Sequence, residues 1–331
     1  MTAEPVIRVA LVGAGAIGAA HAQAAAELPG VELVAVSDAR PAAAAELAAR
    51  HGGRALPVTE LLAAGRAIAD LVVVATPPAT HVELSCALLE AGTAVLCEKP
   101  LTIDLEGARR LAATAERSGA LLSMASKFRF VADVGRAREL ADSGALGKIV
   151  KTEVAFAGVV DMTSRWNADP AVSGGGVLVD NGTHGVDVVR YVRGAIAEVF
   201  VAEAPRGQRV GVDDSVTVLL RTVSGELAQV DVTWSYRRIS AAFLTVLGTD
   251  GAVEVGWRGS RLLTAAGIEE FGTGYDKIGS LRANLADVAA AVRGTGAPRV
   301  GLEDALASVS VVDAAHRSLA DGRWEKVEVT P

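Results

Sequence analysis

Apolar positions run almost without a break over residues 6–12, a β-branched stretch that stops at Gly13 and predicts a strand buried on both faces. Small residues then favour a helix over 19–28, and a second apolar run, 31–37, ends at Asp38. The alternation continues with helices expected over 41–51, 59–65, 80–91 and 104–118, and strands over 71–75, 93–97 and 120–125. Strands separated by helices of this length predict a parallel, doubly wound α/β sheet in a first domain, residues 1–126.

The pattern changes in residues 127–331. One helix over 131–143 leads into strands expected over 148–156, 196–204, 215–222, 227–236, 241–248 and 252–257. Turn signals such as Ser224-Gly225 and Thr249-Asp250-Gly251 join several of them directly, which predicts an antiparallel sheet. A helix over 177–192 is inserted in it, and two late helices, 281–293 and 302–319, are expected to pack on one face of this second, α+β domain.

Composition supports two domains: 331 residues, half of them apolar and only 21% charged, provide more core than a single domain usually encloses. The net charge of -7 arises without any block of Lys or Arg, so nothing points to nucleic acid or to a membrane surface, and a small molecule is the expected partner. Cys86 and Cys97 lie among apolar neighbours, lack metal-ligand spacing and predict buried thiols rather than a disulfide framework. The first residues carry no basic, apolar, cleavable leader pattern, which predicts a cytoplasmic protein.

Candidate chemistry sharpens the picture. Gly13-Ala14-Gly15-Ala16-Ile17-Gly18 stands between the first strand and the first helix, and Asp38 ends the next strand 20 residues beyond Gly18. A tight turn, a backbone open to pyrophosphate, close helix–strand packing and an acid for the ribose hydroxyls predict a dinucleotide site. Asp38 would repel a 2'-phosphate and favours NAD, while Arg40 leaves NADP open. Thr76-Pro77 and His81, after the strand over 71–75, and Glu98 with Lys99 complete the expected cofactor contacts at the sheet's carboxyl edge.

Cys97-Glu98-Lys99-Pro100 places a glutamate and a lysine where an apolar run ends. Downstream, Gly174-Gly175-Gly176 opens the inserted helix, and at about 100° per residue Asp180, His184, Asp187 and Tyr191 share one face. A carboxylate one turn from an imidazole can orient it and stabilise its protonated form. Zinc is the competing use, but neither H-E-x-x-H nor a cysteine pair is present and no metal is expected. Arg129, Arg165, Trp166, Asn167, Asp187 and Tyr236 are further candidates for substrate contacts, Trp166 by stacking on a sugar ring and Asn167 by hydrogen bonding.

Together, residues 13–18, Glu98-Lys99-Pro100 and Gly174-Gly175-Gly176 with Asp180, Gly182, His184 and Asp187 resemble the glucose-fructose oxidoreductase, inositol dehydrogenase and rhizopine-catabolism family of NAD(P)-dependent oxidoreductases. The resemblance covers essentially the whole chain. It implies an N-terminal Rossmann domain, a C-terminal domain with a large, mostly antiparallel open sheet, and a homodimer or homotetramer formed through that sheet. It also implies Lys99 as the active-site lysine and Asp180 and His184 as acid and base. The expected reaction is hydride transfer between nicotinamide and a ring secondary alcohol of a sugar or cyclitol. Reduction of a keto-sugar or nucleotide sugar, NAD-dependent glycoside cleavage and a non-catalytic dinucleotide sensor are the alternatives. An intact Lys99, Asp180 and His184 weighs against the sensor, which has no need of a proton acceptor.

Overall fold

A computed structural model describes residues 5–328, which fall into two compact units. The first comprises the chain up to Lys127 and the segment Lys277–Leu306; the second comprises Phe128–Asp276 and the chain from Ala307 onward.

The first unit is built on strands β1 (Ile7–Val12), β2 (Val31–Ser37), β3 (Arg54–Ala55), β4 (Leu71–Val74), β5 (Ala94–Cys97) and β6 (Leu122–Met124). All are parallel, in the order β3-β2-β1-β4-β5-β6. The order reverses between β1 and β4, where loops of an open sheet part to receive a ligand. Every residue of β4 and β5 is buried, as befits central strands covered by helices on both faces.

One element lies in a different unit from the one expected. The first late helix, Lys277–Val292, packs on the helix Ala16–Ala26 of the Rossmann unit, and its Leu285, Val288 and Ala289 join the core formed by Ile7, Val9, Leu11 and Leu33. The chain therefore returns to the first unit after completing most of the second, which differs from a simple division at residues 126 and 127. Apolar periodicity marks the helix but does not say which apolar surface it covers.

The second unit contains β7 (Ile149–Ala157), β8 (Ile196–Glu203), β9 (Ser215–Thr222), β10 (Leu227–Thr233), β11 (Ala242–Gly248), β12 (Gly251–Gly256), β13 (Ser260–Thr264), β14 (Gly267–Phe271) and β15 (Glu325–Lys326). Their order is β14-β13-β12-β11-β7-β10-β9-β8-β15, and only the β7–β10 pairing is parallel. Strands β13, β14 and β15 lie beyond the expected set. All three are short, β14 and β15 form the two edges of the sheet, and β14 is almost wholly exposed, so an apolar pattern is weak there.

The inserted helix is also altered: a π-turn, Leu178–Gly182, precedes the α-helix Thr183–Arg193. A π-turn widens the helix by one residue, so the 100° phase linking Asp180 to the later positions does not hold across it. Among the described residues, no helix is long and apolar enough to cross a membrane.

Candidate functional site

In the first unit, the glycine loop is shaped by contacts that no side chain would permit. Gly13 has φ of +104°, and a Cβ there would stand 2.5 Å from the Ala75 carbonyl oxygen, at the end of β4. A Cβ on Gly18 would stand 1.9 Å from the Gly13 carbonyl oxygen, so the helix packs on the loop backbone to backbone. A Cβ on Gly15 would meet nothing within 4 Å. That open position lies at the N-cap of the helix Ala16–Ala26, whose first residue is exposed and whose cap has no side-chain hydrogen bond. The space suits a pyrophosphate approaching free backbone N–H groups.

Asp38, just after β2, grips the same loop. One carboxylate oxygen accepts from the Ala14 N–H at 2.7 Å, and the other accepts from the Arg40 N–H at 2.8 Å and from Arg40 Nε at 3.3 Å. Partial burial opposes ionisation, but these hydrogen bonds and the Arg40 charge hold the Asp38 carboxyl below the usual carboxylate range. The Arg40 guanidinium itself is largely exposed. Thr76 and Pro77 follow β4, where the Thr76 and Thr80 hydroxyls lie 2.7 Å apart.

Glu98-Lys99-Pro100 follows β5, with a cis peptide between Lys99 and Pro100. The Glu98 side chain turns inward. Its Oε1 lies 2.8 Å from His21 Nε2 and its Oε2 accepts from the Lys99 N–H at 3.1 Å. Burial alone would raise the Glu98 pKa, but the hydrogen bond from His21 and the charges of His21, Lys127 and Lys99 outweigh it and hold the carboxyl at about 2. An ionised carboxylate only accepts, so His21 Nε2 is the donor.

His81 is placed otherwise than its reading as a cofactor contact implied. It is fully buried, with Nδ1 2.9 Å from the Pro100 carbonyl oxygen and Nε2 2.9 Å from that of Thr76. It bridges the loop after β4 and the loop after β5 from inside the unit. Burial pushes its pKa down against the pull of those carbonyls. Lys99 thus stands half-buried between two residues, Glu98 and Pro100, each held by a buried histidine.

In the second unit, Asp180 is half-buried on the π-turn and His184 is buried in the first turn of the following helix. The His184 ring meets Phe128 edge-on at 5.0 Å and Phe156 at 6.2 Å, so aromatic walls fix its plane. Asp187 and Arg129 lie side by side as expected from neither residue alone. Arg129 Nε donates to both carboxylate oxygens at 3.0 Å and Nη2 donates to Oδ1 at 2.8 Å, and each side chain is only 4% exposed. Ser308 adds a hydroxyl to the same carboxylate. Their expected role as substrate contacts conflicts with this burial, which makes them a clamp on the helix that carries His184.

Arg165 and Trp166 are exposed and Asn167 is half-buried in the loop before the glycine run, and Tyr236 is exposed beyond β10. They remain accessible to a substrate. Sequence reasoning missed His21 and Phe128. His21 carries no local signal, being one polar residue in an alanine-rich helix, 77 positions from Glu98.

Known proteins match this chain along nearly its whole length. Residues 7–126 match an oxidoreductase family with an NAD-binding Rossmann fold, and residues 134–254 match the GFO/IDH/MocA C-terminal domain. An inositol 2-dehydrogenase of Rhizobium meliloti strain 1021 is 33% identical over 75% of this chain and 74% of its own. The rhizopine catabolism protein MocA of Rhizobium meliloti is 31% identical over 95% of both chains. A levoglucosan dehydrogenase solved with NADH and levoglucosan shares the fold, with a TM-score of 0.91 over 98% of this chain and all of that one, at 22% identity. The glycine loop fits NAD, and the reaction class is oxidation and reduction at a CH–OH group. The chain belongs to the Gfo/Idh/MocA family of NAD-binding oxidoreductases.

Proposed function

We propose that this protein exchanges a hydride between NAD and a ring secondary alcohol of a sugar or cyclitol. The observation that carries the reading is His184, an imidazole set rigidly on aromatic walls beside a turn bearing Asp180, in a chain that also fixes Lys99 at the end of β5. A ring nitrogen of His184 takes the hydroxyl proton. Lys99 Nζ hydrogen-bonds the same oxygen as negative charge grows on it, and Asp180 accepts from a neighbouring hydroxyl. When bound, the nicotinamide supplies the hydride acceptor. The loop 13–18 holds the pyrophosphate, Asp38 accepts from the adenosine ribose hydroxyls, and Thr76 and Pro77 line the nicotinamide end. Arg165, Trp166, Asn167 and Tyr236 supply further substrate contacts.

Relatives named for inositol support a polyhydroxylated ring as substrate. Exposed apolar side chains on the large sheet, Val150, Leu263 and Ile268, support self-association through that face, which light scattering of the purified protein would measure. The deciding assay mixes the protein with NAD or NADP and a panel of inositols, aldoses and nucleotide sugars and follows reduced nicotinamide. Turnover with a cyclitol or sugar is expected. Lys99→Ala and His184→Ala should each lower it by roughly 10²-fold or more while leaving NADH binding in place. Turnover unchanged in either variant, or none with any polyol or keto-sugar, would overturn the reading.

A further inference from the structure

Three successive backbone N–H groups at the start of the inserted helix all end on one residue, Asp213. The Gly176 N–H donates to its Oδ1 at 3.1 Å, the Leu178 N–H donates to its Oδ2 at 2.8 Å, and between them the Val177 N–H donates to its main-chain oxygen at 2.9 Å. These are donors that a helix start leaves without partners inside the helix. Asp213 comes from a loop 37 residues away, just before β9, and is buried.

The approach is so close that it dictates residue 176. A Cβ there would stand 2.0 Å from the Asp213 carbonyl oxygen and 2.6 Å from its Oδ1, so only glycine fits. A Cβ on Gly175 would likewise meet Val179 at 2.6 Å and His316 Nε2 at 3.1 Å. The π-turn begins at Leu178, one of the three residues held, and carries Asp180, whose own N–H donates back to the Gly176 carbonyl at 3.0 Å. His184 follows directly on this turn.

We infer that Asp213 is a positioning residue of the reaction: its carboxylate fixes the phase of the wide turn and so the placement of Asp180 and the His184 ring. It touches neither substrate nor nicotinamide in this role. The inference rests on the proposed roles of Asp180 and His184, but its consequences can be read without turnover.

The test compares the full-length protein with Asp213→Ala and Asp213→Asn, the second retaining one acceptor. In NMR spectra with histidines identified by substitution, the His184 ring protons should move in Asp213→Ala, because they lie against the Phe128 ring and report displacement from it. Asp213→Asn should fall between wild type and Ala. NADH binding should stay within about twofold, and kcat on the substrate found in the panel should fall at least about tenfold with a smaller change in KM, as expected for misplacement by a fraction of an ångström. An unmoved His184 resonance in Asp213→Ala overturns the inference, and so does an unchanged kcat. Should wild type turn over no panel substrate, the reading of the reaction fails, while the His184 resonance still decides the role of Asp213. Should Asp213→Ala fail to fold, Asp213→Asn gives the same two readouts.

Discussion

The histidine–glutamate pair beside Lys99 has a measurable pH signature. Glu98 has its folded pKa depressed to about 2 from an ordinary value of 4.5, so its pairing with His21 stabilises the fold above that ordinary value. As the pH falls from about 4.5 toward 2, that stability is lost. Thermal melting of wild type and Glu98→Gln should therefore differ most near neutrality and converge across this window; parallel curves would mean the carboxylate is not held as described. The glycines make a second contrast. Gly18→Ala forces a Cβ into the Gly13 carbonyl and should lower the melting temperature, whereas Gly15→Ala meets no protein atom and should not. Both should weaken NADH binding by about tenfold or more, an effect of roughly 1.4 kcal/mol, since the Gly15 methyl fills the space left for phosphate. Fluorescence titration checks this. The glycine loop was legible in the sequence because each role is local to a strand, turn and helix, while His21 was not, because its meaning arises only against Glu98.

Among the elements, the inserted helix is where sequence periodicity was most informative and most incomplete. Polar residues at 180, 184 and 187 marked the helix on which the proposed chemistry rests, yet a constant phase hid the π-turn. The stripe also mixed two uses. Asp180 and His184 lie at the widened start, and Asp187 is clamped by Arg129 below them. Asp187→Asn leaves a buried guanidinium short of its counter-charge and should cost about 3–5 kcal/mol. Urea unfolding measures that loss; a cost below about 1 kcal/mol would return Asp187 to the list of substrate contacts. Asp213 belongs to the same class of hidden features. The run Gly174-Gly175-Gly176 marked where the inserted helix opens and gave no sign of the carboxylate packed against it.

At the scale of the molecule, the alternation of strands and helices gave both sheets in kind, and the element it misassigned was the helix Lys277–Val292. Because Leu285, Val288 and Ala289 of that helix complete the core around Leu11 and Leu33, a fragment ending at Lys127 should be unstable and bind NADH weakly. Supplying residues 277–306 as a second piece should recover cooperative melting and binding. A fragment that melts as sharply without it would show the helix to be dispensable.

The same helix imposes a schedule on synthesis. Some 150 residues separate Lys127 from Lys277, counted as 277 minus 127. At about 5–20 residues per second, the nascent Rossmann sheet waits roughly 8–30 s with one apolar flank uncovered. For that interval the cofactor half of the protein depends on a segment the ribosome has not yet made, so NAD itself, or a chaperone, meets an unfinished nucleotide fold.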